Sequence, residues 1–252
     1  LLSLNAIDPS QPIEVVVLSK NSADTGMRFF ASCKHYDLKI SRGAFLAGED
    51  VYPYIESFNA SLFLSANDRD VREAIQNGFP AGLILQTSSS DDPNDQQLRI
   101  AFDFDGVVAN DESEKIYAQN GRVEDFHRYE EERVSEPHDP GPLKDFFSKV
   151  GRLQAAEAAK KLDDPAYSPL IRTVIVTARN APSHERMVRS LQAWGLGASE
   201  LFLMGGVDKT RVLKVLRAHI FFDDQMAHLD SASEFIPSVL IPFGIRNEVT
   251  SK

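Results

Sequence analysis

Short apolar segments alternate with amphipathic segments along most of this chain. In the amino-terminal part, we predict β-strands from apolar runs at 13–18, 38–40, 61–65 and 81–85. The segments between them place apolar residues at helical spacing, which predicts helices over 25–36, 51–58 and 69–76. Strands that alternate with helices are typical of a parallel sheet with crossover helices.

The alternation continues in the carboxyl-terminal part, where we predict strands at 100–102, 172–176, 201–204 and 220–222, with 220–222 as the final core strand. Residues 238–241 and the tail are expected to close the domain. The alternation is interrupted between 110 and 169, where the sequence is charged, poor in strands and helix-like. An insertion of about 60 residues between two core strands is long for a connection, so we predict a helical cap there. The charged stretch in its middle, EDFHRYEEERVSEPHD, is typical of a solvated helical face.

Composition narrows the class of protein. The net charge of -10 argues against nucleic-acid binding, because a phosphate backbone requires a basic surface. Cys33 is the single cysteine, which excludes an intrachain disulfide and indicates a reducing cytoplasm. No apolar run approaches the ~20 residues of a membrane span, so we expect no membrane insertion. The chain begins without Met and without a basic leader, so we expect no signal peptide and a fragment or processed form.

The stretch 99–114, RIAFDFDGVVANDESE, carries the strongest candidate chemistry. Its apolar strand is followed by Asp103 and Asp105 and ends at Gly106. Parallel α/β sheets place their chemistry just beyond the carboxyl ends of the strands. There, one carboxylate can attack a substrate or hold a metal while the other transfers a proton. The alternative is a solvated turn, since Asp and Gly both favour turns.

Polar residues follow three further strands. Thr177 ends one strand, Lys209 opens the helix after another, and Asp223 with Asp224 ends a third. Taken singly, Thr177 is an ordinary β-branched residue at a strand end and Lys209 an ordinary solvated lysine. Together with Asp103 and Asp105, they predict one shared site at the edge of the sheet.

The order of these elements resembles the haloacid dehalogenase superfamily: a strand with DxD, a strand with Thr, a Lys, and a strand with DD. The resemblance implies a three-layer, Rossmann-like α/β fold with a mostly parallel sheet and flanking helices. Here the fold is extended by an amino-terminal α/β part and carries a small helical cap after the first motif. We expect 1–109 to hold the amino-terminal part and first catalytic strand, 110–170 the cap, and 171–252 the rest of the core.

The roles follow from phosphate-ester chemistry and from this resemblance. Asp103 would attack phosphorus to form an aspartyl-phosphate, and Asp105 would give a proton to the leaving oxygen and later take one from water. Lys209 and Thr177, with nearby backbone amides, would stabilise the phosphoryl oxygens. The superfamily's phosphatases carry Asp at the position of Asp105, whereas its transport ATPases carry Thr.

Mg²⁺ is the expected cofactor, because it prefers oxygen ligands. Asp103, the backbone carbonyl of Asp105 and one residue of the Asp223–Asp224 pair would hold it. Some members of the superfamily carry Gly-Asp at the position of this pair, and the second of those two residues binds the metal. This resemblance favours Asp224 as the direct ligand. Asp223 would then support Lys209 or a metal-bound water.

A narrower resemblance is to the cytosolic 5'-nucleotidases of type I. It rests on HYDLKISRGAF, SLFLSANDRDVREAI, LRIAFDFDGVVANDESE, GPLKDF, VTARNA, SLQAWGL and HIFFDDQMAHL. It implies Mg²⁺-dependent hydrolysis of nucleoside 5'-monophosphates such as AMP, IMP or CMP. Animal members read DGDAVL where this chain reads DFDGVV, with the spacing of the two aspartates kept. The alternatives are a phosphatase for another small phosphate monoester and a catalytically silent nucleotide sensor, although a sensor would not need Asp105.

Substrate contacts are expected from three places. Loops after the amino-terminal strands should share the rim with Asp103, which makes Lys20, Arg42 and Asn67 candidates, with ordinary loop polarity or helix capping as the alternative. Ala178 and Arg179 follow Thr177 directly and are expected at the phosphate. The cap candidates, for which packing inside the cap is the alternative, are Ser113, Phe126, His127 and Tyr129. The exposed edge of a large sheet also favours a homo-oligomer.

Overall fold

A computed structural model describes residues 1–89, 92 and 94–247 of this chain. The strands are β1 (Val16–Ser19), β2 (Arg42–Phe45), β3 (Phe63–Ser65), β4 (Ala81–Ile84), β5 (Leu98–Phe102), β6 (Ile171–Thr177), β7 (Glu200–Leu203), β8 (Ile220–Asp223) and β9 (Ser238–Leu240). The helices are α1 (Ala23–His35), α2 (Asp68–Gln76), α3 (Glu112–Asn120), α4 (Val123–Glu132), α5 (Lys144–Asp163), α6 (His184–Ala193), α7 (Thr210–Leu216) and α8 (Met226–Ser233).

Seven strands form the main sheet, in the order β3-β4-β9-β8-β5-β6-β7. The five strands from β9 to β7 are parallel to one another, with β5 between β8 and β6. This mixed α/β arrangement, with a mostly parallel sheet and flanking helices, confirms the predicted fold class and is consistent with a Rossmann-like haloacid dehalogenase fold. Because β8, β5 and β6 are parallel, their carboxyl ends meet at one edge of the sheet.

The centre of the sheet is covered on its faces by apolar side chains. Phe102 of β5 is fully buried and packs against Phe147 of α5, with ring centroids 5.1 Å apart, and against Phe222 of β8 at 5.2 Å. A fully buried aromatic side chain contributes on the order of 2–3 kcal/mol through its burial alone. This packing positions β5 in the core, and the first two candidate aspartates directly follow this strand.

The amino-terminal part differs from the prediction in several ways. β4 pairs with β9 in the antiparallel sense, so β3 and β4 run opposite to the other strands of the main sheet. β1 and β2 form a separate two-stranded parallel sheet, and β2 begins at Arg42, after the predicted strand at 38–40. The predicted helix over 51–58 is only a short 3₁₀ turn at Tyr52–Tyr54.

The inserted segment contains two kinds of helix. α3 and α4 pack on each other, and α4 also packs on α6. α5, in contrast, lies on the sheet, where Leu143 just before it and Phe147 join the same apolar cluster as Phe102. The division of the chain at 110 and 171 stays a prediction, and its last residues, 248–252, lie outside the described part. No helix in the described ranges has the length and apolar character needed to cross a bilayer.

Candidate active site at the carboxyl ends of the central strands

The central strands bring the predicted catalytic residues to one edge of the sheet. Asp103 follows β5 and donates its backbone N–H to the carbonyl of Phe222 in β8, at 2.8 Å. Thr177 is the last residue of β6 and Asp223 the last residue of β8. The side chains of Asp103, Thr177 and Asp223 are all buried, so this edge forms an enclosed polar site.

Lys209 links two of these carboxylates. Its Nζ lies 2.6 Å from Oδ2 of Asp103 and 2.7 Å from Oδ2 of Asp223, and its side chain is almost fully buried. Burial would lower the pKa of Lys209, but the charges of Asp103 and Asp223 outweigh it and hold that pKa above its usual range. Lys209 is therefore a fixed buried cation beside the candidate nucleophile. Asp223 contacts it directly, which is the supporting role expected for one residue of the pair.

The site carries more negative than positive charge. Burial, opposed by Lys209 and reinforced by Asp223, raises the pKa of Asp103 to about 7. Burial and the charges of Asp223 and Asp103 raise the pKa of Asp224 to about 9. The buried carboxyl groups of Asp103, Asp223 and Asp224 face one ammonium group, so their full ionisation would leave two negative charges uncompensated. A divalent cation would supply that missing charge.

The donor set fits Mg²⁺. Oδ1 of Asp224 is buried and receives no hydrogen bond from any described residue, which is the state expected of a carboxylate oxygen that faces a cation. The loop approaches it closely because Gly106 has φ +70° and no side chain; a Cβ there would lie 2.6 Å from Oδ2 of Asp224. Oxygens of Asp103, Asp223 and a nitrogen of His228 also cluster within 4.8 Å, but Lys209 already contacts both carboxylates of that set.

Asp224→Asn is expected to stabilise the protein in the absence of divalent metal. A carboxyl group with a raised pKa contributes stability that is complete below its usual pKa of 3.8 and is lost as pH rises through about 9. The amide of Asp224→Asn does not ionise and so loses no stability as pH rises. The difference in Tm between the variant and wild type should therefore increase between about pH 5 and about pH 8. We expect a gain of about 1 kcal/mol or more near neutral pH, a rise in Tm of roughly 2–4 °C. Thermal unfolding with EDTA measures this.

Asp111→Asn is the matched control for that measurement. Asp111 is also buried, but it accepts a hydrogen bond from the backbone N–H of Ile245 at 2.8 Å and pairs with Lys115 at 2.9 Å. Loss of these contacts should lower Tm. If both variants are destabilised alike, Asp224 is an ordinary buried carboxyl group and the electrostatic account of the site is wrong.

Asp105 lies at the site but is held by Arg179. The Nε of Arg179 donates to Oδ2 of Asp105 at 2.7 Å, and its NH2 group donates to Oδ1 at 2.6 Å. The Arg179 guanidinium is buried and also pairs with Glu130. Arg179 was expected to bind substrate; the structure instead gives its hydrogen bonds to protein groups.

The residues before Arg179 form the end of β6. Thr177 is buried, and its Oγ1 accepts a hydrogen bond from the backbone N–H of Arg179 at 3.2 Å. Ala178 is half-buried, and its carbonyl accepts from the N–H of Gly206 at 3.1 Å. Both residues are thus at the same edge as Asp103, where the prediction placed them.

Of the four predicted cap residues, three contact the interior network around Glu130; Tyr129 does so through Arg186, whose guanidinium lies 5.6 Å from its ring centroid. The buried Ser113 donates its hydroxyl to Glu130 at 2.5 Å, and Phe126 lies 5.1 Å from the Arg179 guanidinium. Tyr129 packs under the guanidinium of Arg133, 4.1 Å from its ring centroid. The hydroxyl of Ser113 donates its hydrogen bond inside the cap, and a substrate contact by Ser113 stays a prediction.

His127 is the remaining cap candidate. Its ring lies against Phe126, with centroids 5.9 Å apart. Its Nδ1 is buried and has no hydrogen-bond partner among the described residues. A contact between His127 and substrate therefore stays a prediction.

The amino-terminal candidates are placed elsewhere. Because β3 runs opposite to β5, Asn67 after β3 lies at the other edge of the sheet from Asp103, where it caps α2 by accepting from the N–H of Asp70. Lys20 joins it there through an ion pair with Asp70 at 2.6 Å. Arg42, at the amino end of β2, pairs with Glu14 at 2.7 Å. The expectation that Asn67 and Lys20 share a rim with Asp103 is wrong, since it assumed a fully parallel sheet. For Arg42 a substrate contact stays a prediction.

Several residues of the site were not expected from the sequence. They are Glu130 and Arg186, which hold the cap network, and His138 and His228, which contact Glu130 and Asp223. One signal was available for Glu130: it lies four residues after Phe126, on the same face of α4 as that aromatic side chain.

The sequence is similar to known proteins. The family model of the 5'-nucleotidases matches residues 1–248. The human protein cytosolic 5'-nucleotidase 1B is 36% identical over 226 residues. That alignment covers 89% of this chain and 36% of the human protein, so the chain spans about a third of the length of its curated relative.

Proposed function

The chain belongs to the 5'-nucleotidase family, and from this membership we propose that it hydrolyses nucleoside 5'-monophosphates to nucleoside and phosphate. The name of its human relative supports a nucleotide substrate.

The same name, with the single cysteine, supports a cytoplasmic location. The net charge of -10 supports a small-molecule partner rather than a nucleic acid. Association into a homo-oligomer through an exposed sheet edge stays a prediction.

One observation carries the proposal: the buried contact of Lys209 with both Asp103 and Asp223, at 2.6 and 2.7 Å. A phosphate monoester resists attack because its negative charge repels a nucleophile. A fixed cation beside the nucleophile reduces that repulsion and needs no reorganisation during the reaction. A structural ion pair would not need the raised pKa of Asp103 and Asp224 or the unsatisfied oxygen of Asp224.

The proposed reaction has two steps. First, an oxygen of Asp103 attacks phosphorus; the bond from phosphorus to the nucleoside oxygen breaks, and that oxygen takes a proton from Asp105. Second, water attacks the phosphorus of the aspartyl-phosphate; the bond to Asp103 breaks, and the proton of the water goes to Asp105. The enzyme returns to its starting state, with one water consumed and one phosphate released.

Mg²⁺ is the proposed cofactor. Asp103, Asp224 and the backbone carbonyl of Asp105 would hold it, and Asp223 would remain with Lys209. When bound, the ion would offset the repulsion between the clustered carboxylates and the phosphate. Asp224 supports this assignment because its buried Oδ1 has no hydrogen-bond partner among the described residues.

A phosphate-release screen tests the substrate class. With Mg²⁺, nucleoside 5'-monophosphates are expected to be hydrolysed at least about 10-fold more efficiently than sugar phosphates, because only they fit both the phosphate site and a nucleoside-binding cap. Addition of EDTA should abolish release. Released phosphate, measured over a panel of nucleotides and sugar phosphates, gives kcat/KM for each.

The screen also separates the alternatives. Preferential release from sugar phosphates would indicate a phosphatase for another monoester. Binding of AMP without any phosphate release would indicate a nucleotide sensor and would contradict the proposed activity.

A further inference from the structure

Arg179 is saturated by protein partners. An arginine side chain has five N–H groups. In Arg179 two of them donate to the carboxylate of Asp105, one pairs with Glu130, and one donates to the carbonyl of Ser183 at 3.0 Å. The remaining one lies 3.0 Å from Nε2 of His138. All five N–H groups therefore face protein atoms, and the four with an acceptor bind Asp105, Glu130 and the carbonyl of Ser183.

The guanidinium is also fixed by packing. It is buried between two aromatic rings, 5.3 Å from the centroid of Phe104 and 5.1 Å from that of Phe126. Phe104 lies between the two candidate aspartates, and Phe126 belongs to α4 of the cap. The packing of these two rings against the Arg179 guanidinium holds its two parallel N–H groups in one orientation. Those N–H groups in turn fix the plane of the Asp105 carboxylate.

Glu130 pairs with the other side of the Arg179 guanidinium. It is almost fully buried on α4 and receives the Ser113 hydroxyl from α3 at 2.5 Å and the Arg186 guanidinium from α6 at 3.1 Å. Burial would raise the pKa of Glu130, but its hydrogen bond to His138 and the charge of Arg179 outweigh it and hold that pKa well below its usual range. Glu130 therefore stays a carboxylate and compensates the charge of Arg179.

We propose that Glu130 and Arg179 are positioning residues that orient Asp105 for proton transfer and couple that step to the cap helix α4. This inference rests on the proposed function, because it assigns a task only if Asp105 moves protons in phosphate-ester hydrolysis. The chain of contacts is continuous: α3 and α6 hold Glu130, Glu130 holds Arg179, and Arg179 holds Asp105. Neither positioning residue needs to touch the substrate.

The alternative is a purely structural ion pair that fastens the cap to the core. Such a pair would affect stability without affecting the chemical step below the unfolding temperature. A positioning pair, in contrast, changes kcat with little change in KM, because it acts on the transition state and not on ground-state binding.

The test compares Glu130→Gln with Glu157→Gln, using AMP and Mg²⁺. Glu157 is an equally buried glutamate on α5 that accepts the backbone N–H groups of Leu170 and Ile171, far along the sheet from Asp105. Both variants lose a buried carboxylate and should lose stability. Only Glu130→Gln is expected to lose kcat, by roughly 10- to 100-fold with KM changed by less than about 3-fold, as misplacement of a general acid–base requires.

A double-mutant cycle distinguishes a shared path from two separate effects. Arg179→Lys keeps the charge but removes the two parallel N–H groups, so it should lower kcat at least as much as Glu130→Gln does. If both act through Asp105, the double variant Glu130→Gln/Arg179→Lys should be no slower than Arg179→Lys alone, within about 2-fold.

Each outcome decides one claim. The positioning role is wrong if the wild type is fully active and Glu130→Gln has an unchanged kcat. It is also wrong if the losses of the two single variants add in the double variant. Either result leaves the proposed function intact. A wild type that hydrolyses no nucleoside monophosphate or other phosphate monoester would overturn both.

Discussion

Asp103→Asn is expected to reduce phosphate release from AMP by about 10⁴-fold or more, because it removes the nucleophile of the proposed reaction. The fold should persist. The amide has nearly the same shape, and Lys209 keeps its contact with Asp223 at 2.7 Å. The raised pKa of Asp103 also means that its carboxylate is costly in the folded state, so its loss should not lower Tm. Steady-state phosphate release and thermal unfolding measure the two effects.

Asp95→Asn is the matched control for this substitution. Asp95 lies just before β5 and pairs with Arg99 at the amino end of that strand, whereas Asp103 follows its carboxyl end. The control should lose stability and keep kcat. Substantial phosphate release by Asp103→Asn, above a few per cent of wild type, would contradict the assignment of Asp103 as the nucleophile.

Asp105→Asn is expected to lower kcat by about 10²- to 10⁴-fold, since an amide can neither give a proton to the leaving oxygen nor take one from water. Asp103 is still present, so this variant should still become phosphorylated, though more slowly than wild type, and it should release phosphate more slowly still because the attacking water has lost its base. Acid quenching during incubation with AMP, followed by measurement of protein-bound phosphate, checks this.

Metal binding separates the roles of the two aspartates. If Asp105 contributes only its backbone carbonyl to Mg²⁺, Asp105→Asn should keep the Mg²⁺-induced rise in Tm, whereas Asp224→Asn should lose it. Normal AMP hydrolysis by Asp105→Asn would rule out its role in proton transfer.

The core of the site could be predicted because its residues stand at the ends of short apolar strands. Asp103 and Asp223 follow runs so apolar that only central, covered strands accommodate them, and such strands are usually parallel. Parallel strands have their carboxyl ends at the same edge of the sheet, so no further information was needed to predict that Asp103 and Asp223 lie close together. Lys209 required the family pattern, because a lysine at a helix start is by itself uninformative.

The direction of β4 could not be predicted. Periodicity distinguishes a strand from a helix, but it does not tell which distant strand will be its neighbour. β4 pairs in the antiparallel sense with β9, more than a hundred residues later, through Leu83 with Leu240 and Ile84 with Val239. That single pairing moves Asn67 and Lys20 to the edge opposite Asp103.

The charge composition of the cap did not predict the network around Arg179. The charged stretch that contains Glu130 and His138 has the composition of a solvated helix face, yet both side chains are buried. Composition counts charges, whereas burial depends on whether each charge finds a partner, here Arg179 from the loop after β6 and Arg186 from α6. Such partners come together only in the folded chain.

The most direct test of the central claim is to locate the phosphate on the protein during turnover. Wild type and Asp105→Asn would be incubated with AMP and Mg²⁺, quenched in acid, digested and examined by peptide mass spectrometry with and without hydroxylamine. We predict a hydroxylamine-labile phosphate on Asp103, more abundant in Asp105→Asn and absent from Asp103→Asn. AMP hydrolysis by wild type with no phosphate on Asp103 in either protein would contradict the account.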